Sequence, residues 1–459
     1  MSASEASSFE ELTLESNDQE RTVDLRSGVV SIDYYEDILS PTITAKVRVI
    51  NTGDSISPKD PQDSKKTDGA KQSIYNGLPL RGGERLSMKI LDQGKANNNG
   101  KEKTGLDFST NPKKYLFVSS ITQVLQETQR ESFLLNLVSR EAITNETTRV
   151  FKRYTGVISE TVKKILTDPL IGFNVDKSKL GDIVESTSGS YDFVGNLRKP
   201  FSTLISLASK SIPNKSGDAT AGFVFFQTQD GFQFSSIDSL IKQKSKATYT
   251  YTDVNESSIT KNNDYKILQY TVDKNQNLIE NLRMGTYSFR RLSFNPLSFQ
   301  FKQEVYNYGD KNSAKKNDRM NNLGTKELQL PKISDDSKLT LDQLPTRTVS
   351  QIVDVGASTT VSKDDNYPAD KYQGQNVVRY NLLMTQSVSM TVPCNTDLKA
   401  GDIITCLFPK ISREDKNEYD SEESGKYMIK ELCHHFEAKR SFTSMTLVRD
   451  TYGLHGGES

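Results

Sequence analysis

The chain has 459 residues, with 59 Lys and Arg against 59 Asp and Glu, and 34% of them are hydrophobic. Balanced charge gives no reason to expect a binder of nucleic acid or of a membrane surface. The low apolar share, with a mean hydropathy of −0.60, predicts long polar loops or surfaces completed by other subunits. Three cysteines, Cys394, Cys406 and Cys433, argue against a disulfide framework and for folding in a reducing cytoplasm. The polar start MSASEASSFEELTLESNDQE lacks the apolar core of a secretory signal, and no run approaches the ~20 apolar residues of a membrane helix.

From Asp24 to Asn51 the chain reads as β. Val30, Ile32 and Tyr34 alternate in GVVSIDYY, Ser40–Pro41 makes a turn, and TITAKVRVI sets Ile43, Ala45, Val47 and Val49 on one side. The Pro/Gly/Lys/Asp stretch that follows is too polar to offset its ordering entropy and is expected to be a mobile insertion, as is DQGKANNNGKEKTG. KKYLFVSSITQVLQETQRESFLLNLVSRE predicts a hairpin, with Leu116 and Val118 on one arm, Phe133, Leu135 and Leu137 on the other, and a polar turn between. Helical spacing begins in ISETVKKILTDPL, where Ile158, Val162, Ile165 and Leu166 share a face, Ser159 is the expected cap and Pro169 the stop. KPFSTLISLASKSIP repeats the pattern, opened by Pro200. GFVFFQTQDGFQFSSI predicts a hairpin about Asp230–Gly231. DKNQNLIENLRMG predicts a short helix ended by Gly285, and a β stretch interrupted by Pro296 follows. Asn307 to Asn376 is polar, with only PTRTVSQIVDVG hinting at order, and too long for a loop within a compact domain, so it is expected to be an arm or partner-binding extension. A β pattern returns from Val377 to Val448.

One phrase occurs twice. LRGGERLSMKI (Leu80–Ile90) and LKAGDIITCLF (Leu398–Phe408) both read Leu, two residues, Gly, an acid, then an alternating strand. Asn51–Thr52, Lys114–Tyr115 and Leu137–Val138 surround the first as Asn395–Thr396, Lys426–Tyr427 and Leu447–Val448 surround the second. Gly83 and Gly401 supply a turn conformation that other residues resist, and the acid beside each can accept backbone N–H bonds. Several matches in one order predict a duplicated antiparallel domain. The expected fold is mainly β (α+β overall): two similar antiparallel β-barrel tube domains with an inserted small α+β domain. The first spans 1–145, with mobile insertions at 53–79 and 93–113. The middle domain spans 146–262. The second spans 263–308 and 377–451, the arm 309–376 and a flexible tail 452–459. Closed symmetry is the default for homo-oligomers, so three chains with two such domains each would present six similar units.

SGVVSIDYYEDILSPTITAKVRV, TQRESFLLNLVSREAITNETTRV, SGKYMI and TSMTLVRDTYG resemble the baseplate central hub proteins of large contractile-tailed bacteriophages, especially those of marine cyanobacteria. The resemblance covers the first barrel, the middle domain and the last strands, and is weak across the polar arm. It implies a structural virion protein of the tail baseplate, assembled in the host cytoplasm. The implied assembly is a homotrimeric ring between a hexameric tail tube and a trimeric central spike. The implied partners are the spike, the tail tube or tube-initiator proteins, the baseplate wedge proteins and the tape measure protein. DNA is expected only in transit, without membrane insertion.

Candidate chemistry is sparse. In CHHF (Cys433–Phe436), Cys433 and His434 point to opposite faces of a strand, and neither CxxC nor HxxxH spacing occurs, so packed strand residues are expected and no metal ligands. Gly-x-Ser-x-Gly, GxxxxGK[ST] and GxGxxG are absent, and the acidic pairs Glu10–Glu11 and Glu422–Glu423 sit in polar runs. No catalytic residue and no cofactor is expected, and the chain reads as non-enzymatic. A tail-associated cell-wall hydrolase centred on the middle domain, or a receptor- or glycan-binding module using the aromatic hairpin, are the alternatives. Arg81, Glu84 and Arg85, with Lys399 and Asp402, flank the repeated turns and are expected to face neighbouring subunits or the tube, against solvated loop charges as the plain alternative.

Overall fold

Alternation of apolar and polar residues makes strand the commoner regular element among the described residues. The computed structural model describes residues 7–52, 73–78, 80–91, 105–214, 220–251, 265–274, 276–308, 321–326, 328, 330–356, 366–367, 369–410 and 419–453. The first eight strands are β1 (Ser8–Glu15), β2 (Thr22–Asp24), β3 (Val29–Asp37), β4 (Thr44–Thr52), β5 (Arg85–Leu91), β6 (Leu106–Asp107), β7 (Leu116–Gln126) and β8 (Arg130–Ser139). Among them β3 pairs with β4, β4 with β8, β8 with β7 and β7 with β5, all antiparallel. The predicted inner face, Ile32, Tyr34, Ala45, Val47, Val49, Phe133, Leu135 and Leu137, is buried. Val30 is 39% exposed instead, because a register shift between Val29 and Ser31 takes it out of the alternation. Parts of the two expected insertions are ordered. A helical turn, α1 (Ile74–Gly77), and Phe108 after β6 bury Ile74, Leu78 and Phe108 in this core; residues 53–72, 79 and 92–104 lie outside the described ones.

The middle section contains α2 (Arg140–Thr147), β9 (Arg153–Tyr154), α3 (Ile158–Thr167), α4 (Leu180–Ile183), β10 (Phe193–Val194), α5 (Pro200–Ala208), β11 (Phe223–Thr228), β12 (Gly231–Ser236) and α6 (Ile237–Ile241). The apolar faces of α3 and α5 close over the β11–β12 hairpin, bringing Val162, Leu204, Phe225 and Phe232 into one core. Ser159 does not cap α3: the N-cap is Val157, and the Ser159 N–H donates to Thr187 Oγ1 at 2.8 Å.

The remaining elements are β13 (Thr248–Thr250), β14 (Gln269–Lys274), α7 (Leu278–Met284), β15 (Ser288–Asn295), β16 (Gln300–Asn307), β17 (Arg347–Ile352), α8 (Ala369–Leu383), β18 (Gln386–Pro393), β19 (Ile403–Leu407), β20 (Gly425–Glu437) and β21 (Ser441–Arg449). Here β14 pairs with β18, β18 with β21, β21 with β20 and β20 with β19, again all antiparallel. This is the order β3-β4-β8-β7-β5 repeated, so the two phrases do begin equivalent strands. The two sets do not form separate closed barrels among the described residues. β20 pairs antiparallel with β3 and joins them into one 14-stranded sheet, which satisfies backbone groups that either edge would otherwise leave open.

Two further expectations change. β15 and β16 do not join the second set; with β17 they form their own three-stranded sheet, in which β17 runs parallel to β15. The polar stretch is therefore partly ordered, and 309–320 and 357–365 lie outside the described residues. The β pattern expected from Val377 begins only at β18, because α8 occupies Ala369–Leu383. Gln375, Val378, Arg379, Leu382 and Leu383 are buried at the i, i+3, i+4, i+7, i+8 spacing of a helix face.

Candidate assembly interface

The repeated turns share their ladder bonds and one bond from the acid back to the turn. Gly83 N–H donates to Val118 O at 2.7 Å and Val118 N–H to Glu84 O at 2.9 Å; Gly401 N–H donates to Ile429 O at 2.8 Å and Ile429 N–H to Asp402 O at 2.9 Å. Both glycines have positive φ, +97° and +86°. Glu84 accepts from Arg81 N–H at 2.6 Å, and Asp402 from Lys399 N–H at 2.8 Å. Just beyond, both hairpins skip one residue of register, Ser119 in β7 and Lys430 in β20. The rungs also refine the matches read from sequence. Val118 and Ile429 are equivalent, which places Leu116, not Tyr115, at the position of Tyr427; both are 0% exposed. Ala45 faces Leu137 as Val388 faces Leu447, so Asn51 corresponds to Cys394 and not to Asn395. The fold keeps a buried side chain at a rung, not a residue type.

The five charged residues expected at subunit contacts fall in different places. Glu84 and Asp402 are buried, 1% and 6% exposed, and bind their own turns. Burial raises the Asp402 carboxyl, against the opposing pull of Lys246 at 2.7 Å. Lys399 pairs with Asp230 of the middle-domain hairpin. Arg85 pairs with Glu15 at 3.1 Å, and Arg81 is exposed. Lys399 and Asp402 therefore serve an interface within the chain.

Sequence reading missed the residues that build that interface. Glu36, at the end of β3, accepts from Tyr34 O–H at 2.8 Å, Gln229 N–H at 2.6 Å and Ala400 N–H at 2.9 Å. One carboxylate thus ties the first strand set, the middle-domain hairpin and the second repeated turn. Burial pushes its pKa up to about 7, with those hydrogen bonds opposing. The aromatic hairpin serves both sides: Phe225 and Phe232 fill the middle core, while Val224 and Phe226 pack with Ile38, Ala400 and Ile403. The only available signal was the unbroken apolar run FVFF, which marks a strand buried on both faces.

Along the β20–β3 seam, His435 faces Asp33 and Cys433 faces Tyr35. His435 Nδ1 lies 2.5 Å from Asp33 Oδ1 and Nε2 lies 3.0 Å from Glu437 Oε1. The hydrogen bond to Asp33 raises its pKa. His434 points the opposite way into the core, where burial pushes it down to about 4, with Nδ1 2.9 Å from Thr443 Oγ1. The sequence-predicted opposition of Cys433 and His434 is present. No group of three or more His, Cys, Asp or Glu able to hold a metal occurs among the described residues.

The equivalents of the two seam strands are open. Among the described residues, β14 has β18 as its one strand partner, and β7 beyond Val118 is paired only with β8. Leu125 in this part of β7 is 67% exposed. The outward face of the joined sheet is polar: Gln269, Thr271, Ser389, Thr391, Ser444 and Thr446 line it on the second set, and Asp33 faces Lys46 across a rung on the first.

No protein-family model and no curated protein matches the chain. Among solved structures, it is similar to the tail protein from Neisseria meningitidis MC58 at 9% identity and a TM-score of 0.49, over 97% of both chains. It is similar to the prophage MuSo2 43 kDa tail protein from Shewanella oneidensis at 7% identity and a TM-score of 0.48, over 96% of this chain and 100% of that one. It is also similar to the Escherichia coli c3393 protein, a component of the type VI secretion system with structural similarity to the T4 bacteriophage tail proteins gp27 and gp5, at 10% identity and a TM-score of 0.33, over 97% of this chain and 79% of that one. The similarity found by comparison of solved structures is thus to tail proteins and to this secretion-system component.

Proposed function

We propose that the chain is the structural hub of a contractile phage tail baseplate, a homotrimeric ring that adapts a three-fold spike to a six-fold tail tube. The observation that carries this reading is the β20–β3 seam. It joins two strand sets of one topology, and among the described residues it leaves one edge of each of their equivalents, β7 beyond Val118 and β14, open. A neighbouring chain's β14 adds to β7 as β3 adds to β20. Such a head-to-tail contact closes into a ring when its rotation permits, and closure removes both edges. Three chains then offer six similar units to the tube and three repeats to the spike, with wedge proteins outside. The polar face, carrying Asp33 beside Lys46, suits a passage for the tape measure and for DNA in transit, because a strongly basic wall would hold DNA by counterion release. The phrases that resemble central hub proteins support this reading, which implies the virion baseplate as location and the host cytoplasm as place of assembly. In this role the chain works mechanically, without catalysis.

The rungs name the contact. Leu125 faces Ser132 as His435 faces Phe442, and Thr271 faces Ser389 as Asp33 faces Lys46; Leu125 of one chain therefore faces Thr271 of the next. A Leu125→Cys, Thr271→Cys double variant should oxidise to a covalent ring of chains, and light scattering should give a mass near three times 51.4 kDa. A monomer at every concentration, with no interchain disulfide, would sink the reading.

A further inference from the structure

The two repeated turns differ in what covers them. The Gly401 turn is covered from within the chain: Lys399 pairs with Asp230, the Gln229 side chain donates to Thr396 O at 2.7 Å, and the Gln243 side chain donates to Gly401 O at 3.1 Å. The Phe226 ring sits so close that a Cβ on Gly401 would lie 3.0 Å from it. The occupant is a hairpin with an aromatic side chain on one arm and an acid at its tip.

At the Gly83 turn no hairpin of the described residues takes that seat. Asn17 caps the turn, its side chain donating to Gly82 O at 3.0 Å. Beside it runs a groove of about 440 Å³, in which Arg85, Lys113 and Arg140 are the charged lining residues and Phe117 and Ile143 supply apolar surface. Ile143 is 37% exposed, and no carboxylate lines the groove. Arg81 takes the position of Lys399 and is exposed. Among the described residues Arg81, Lys113 and Arg140 have no ion-pair partner, and Arg85 is bound to Glu15.

We propose that this groove seats a hairpin with an acid at its tip and an apolar side chain on one arm, supplied by a different protein of the same assembly. Charge complementarity argues for the acid, since Arg81 takes the place of Lys399, which meets Asp230 at the twin seat, and Lys113 and Arg140 line the groove beside it. Continuity argues for the hairpin form, since the twin turn is met by one. A second copy of this chain is the poorer source, because its corresponding hairpin is already engaged with its own Gly401 turn. The inference rests on the hub reading only in taking the partner from the tail.

The test uses the full-length chain. Ring mass is measured first, so that failure to form a ring counts against the hub reading alone. A photo-crosslinking phenylalanine analogue is then placed at position 143 in assembled tails. The expected adduct maps to an Asp- or Glu-bearing loop of another tail protein. Its yield should fall at least tenfold in an Arg81→Glu, Arg140→Glu variant, and also in Lys113→Glu, with ring mass unchanged. An adduct to a second copy of this chain, no adduct in assembled tails, or a yield indifferent to the charge reversals would overturn the inference.

Discussion

Glu36 and His434 are both buried, and burial drives their titrations in opposite directions. The Glu36 carboxyl rises from 4.5 to about 7. Between those values the folded chain holds a proton that the unfolded chain has released, so this group makes stability fall as pH rises. His434 is lowered from 6.5 to about 4, so its contribution is lost as pH falls through that window. The two slopes partly cancel in the wild type. In Glu36→Gln the first is removed. The difference between variant and wild type should therefore shift in favour of the variant from pH 4.5 to 7, by up to roughly 3 kcal/mol, and level off above. Denaturant titrations across that range check it; a difference independent of pH would contradict it. Gly401 makes a second prediction. Its φ of +86° and the nearby Phe226 ring mean that Gly401→Ala should cost about 1–3 kcal/mol, read as a lowered Tm.

Elements are fixed to one another by a few buried polar anchors. Arg379 on α8 is 0% exposed and binds Asp238 of α6 at 2.9 Å and Asp450 after β21 at 3.0 Å. Its guanidinium also donates to Asn321 O at 2.7 Å. Removing it leaves two carboxylates buried without their cation, so Arg379→Met should destabilise by about 3–5 kcal/mol. A thermal melt showing less than 1 kcal/mol would mean that water reaches the two acids. The same anchor explains why the second half of α8, from Val377, reads as strand and its first half as arm. Val377 and Val378 favour strand by propensity, while a buried Arg looks like a surface residue until its two acids, far apart in sequence, are seen around it. The hairpins show the opposite case. β7–β8 and β11–β12 were legible because pattern and turn both lie within one short segment.

For the whole molecule, the open edges are the controlling feature. Leu125 is exposed in the single chain and faces the neighbour's β14 in the proposed ring. Leu125→Asp should leave the melting curve of the isolated chain nearly unchanged, yet weaken ring formation at least tenfold, because a carboxylate is then placed in the seam without a partner. Mass measured against concentration reads this directly. Equal ring stability in variant and wild type would place the seam elsewhere. The sheet also explains the low apolar share of the sequence: one side of each strand set is core, and the other is a polar surface shared with a passage in the proposed ring.

By itself the sequence determined the duplication, the alternating strands and the amphipathic helices, because each is written in spacings of two or three to four residues or in a glycine-acid turn. It placed Gly83 with Gly401 correctly, yet matched Tyr115 to Tyr427 by identity where the rungs make Leu116 the equivalent of Tyr427. Tertiary structure alone decided that the two sets share one sheet, that Glu36 and Asp230 lock the second turn, that α8 is a helix, and that one edge of β7 and one of β14 stay open among the described residues. Those outcomes depend on contacts between residues hundreds of positions apart, which local period and propensity do not encode.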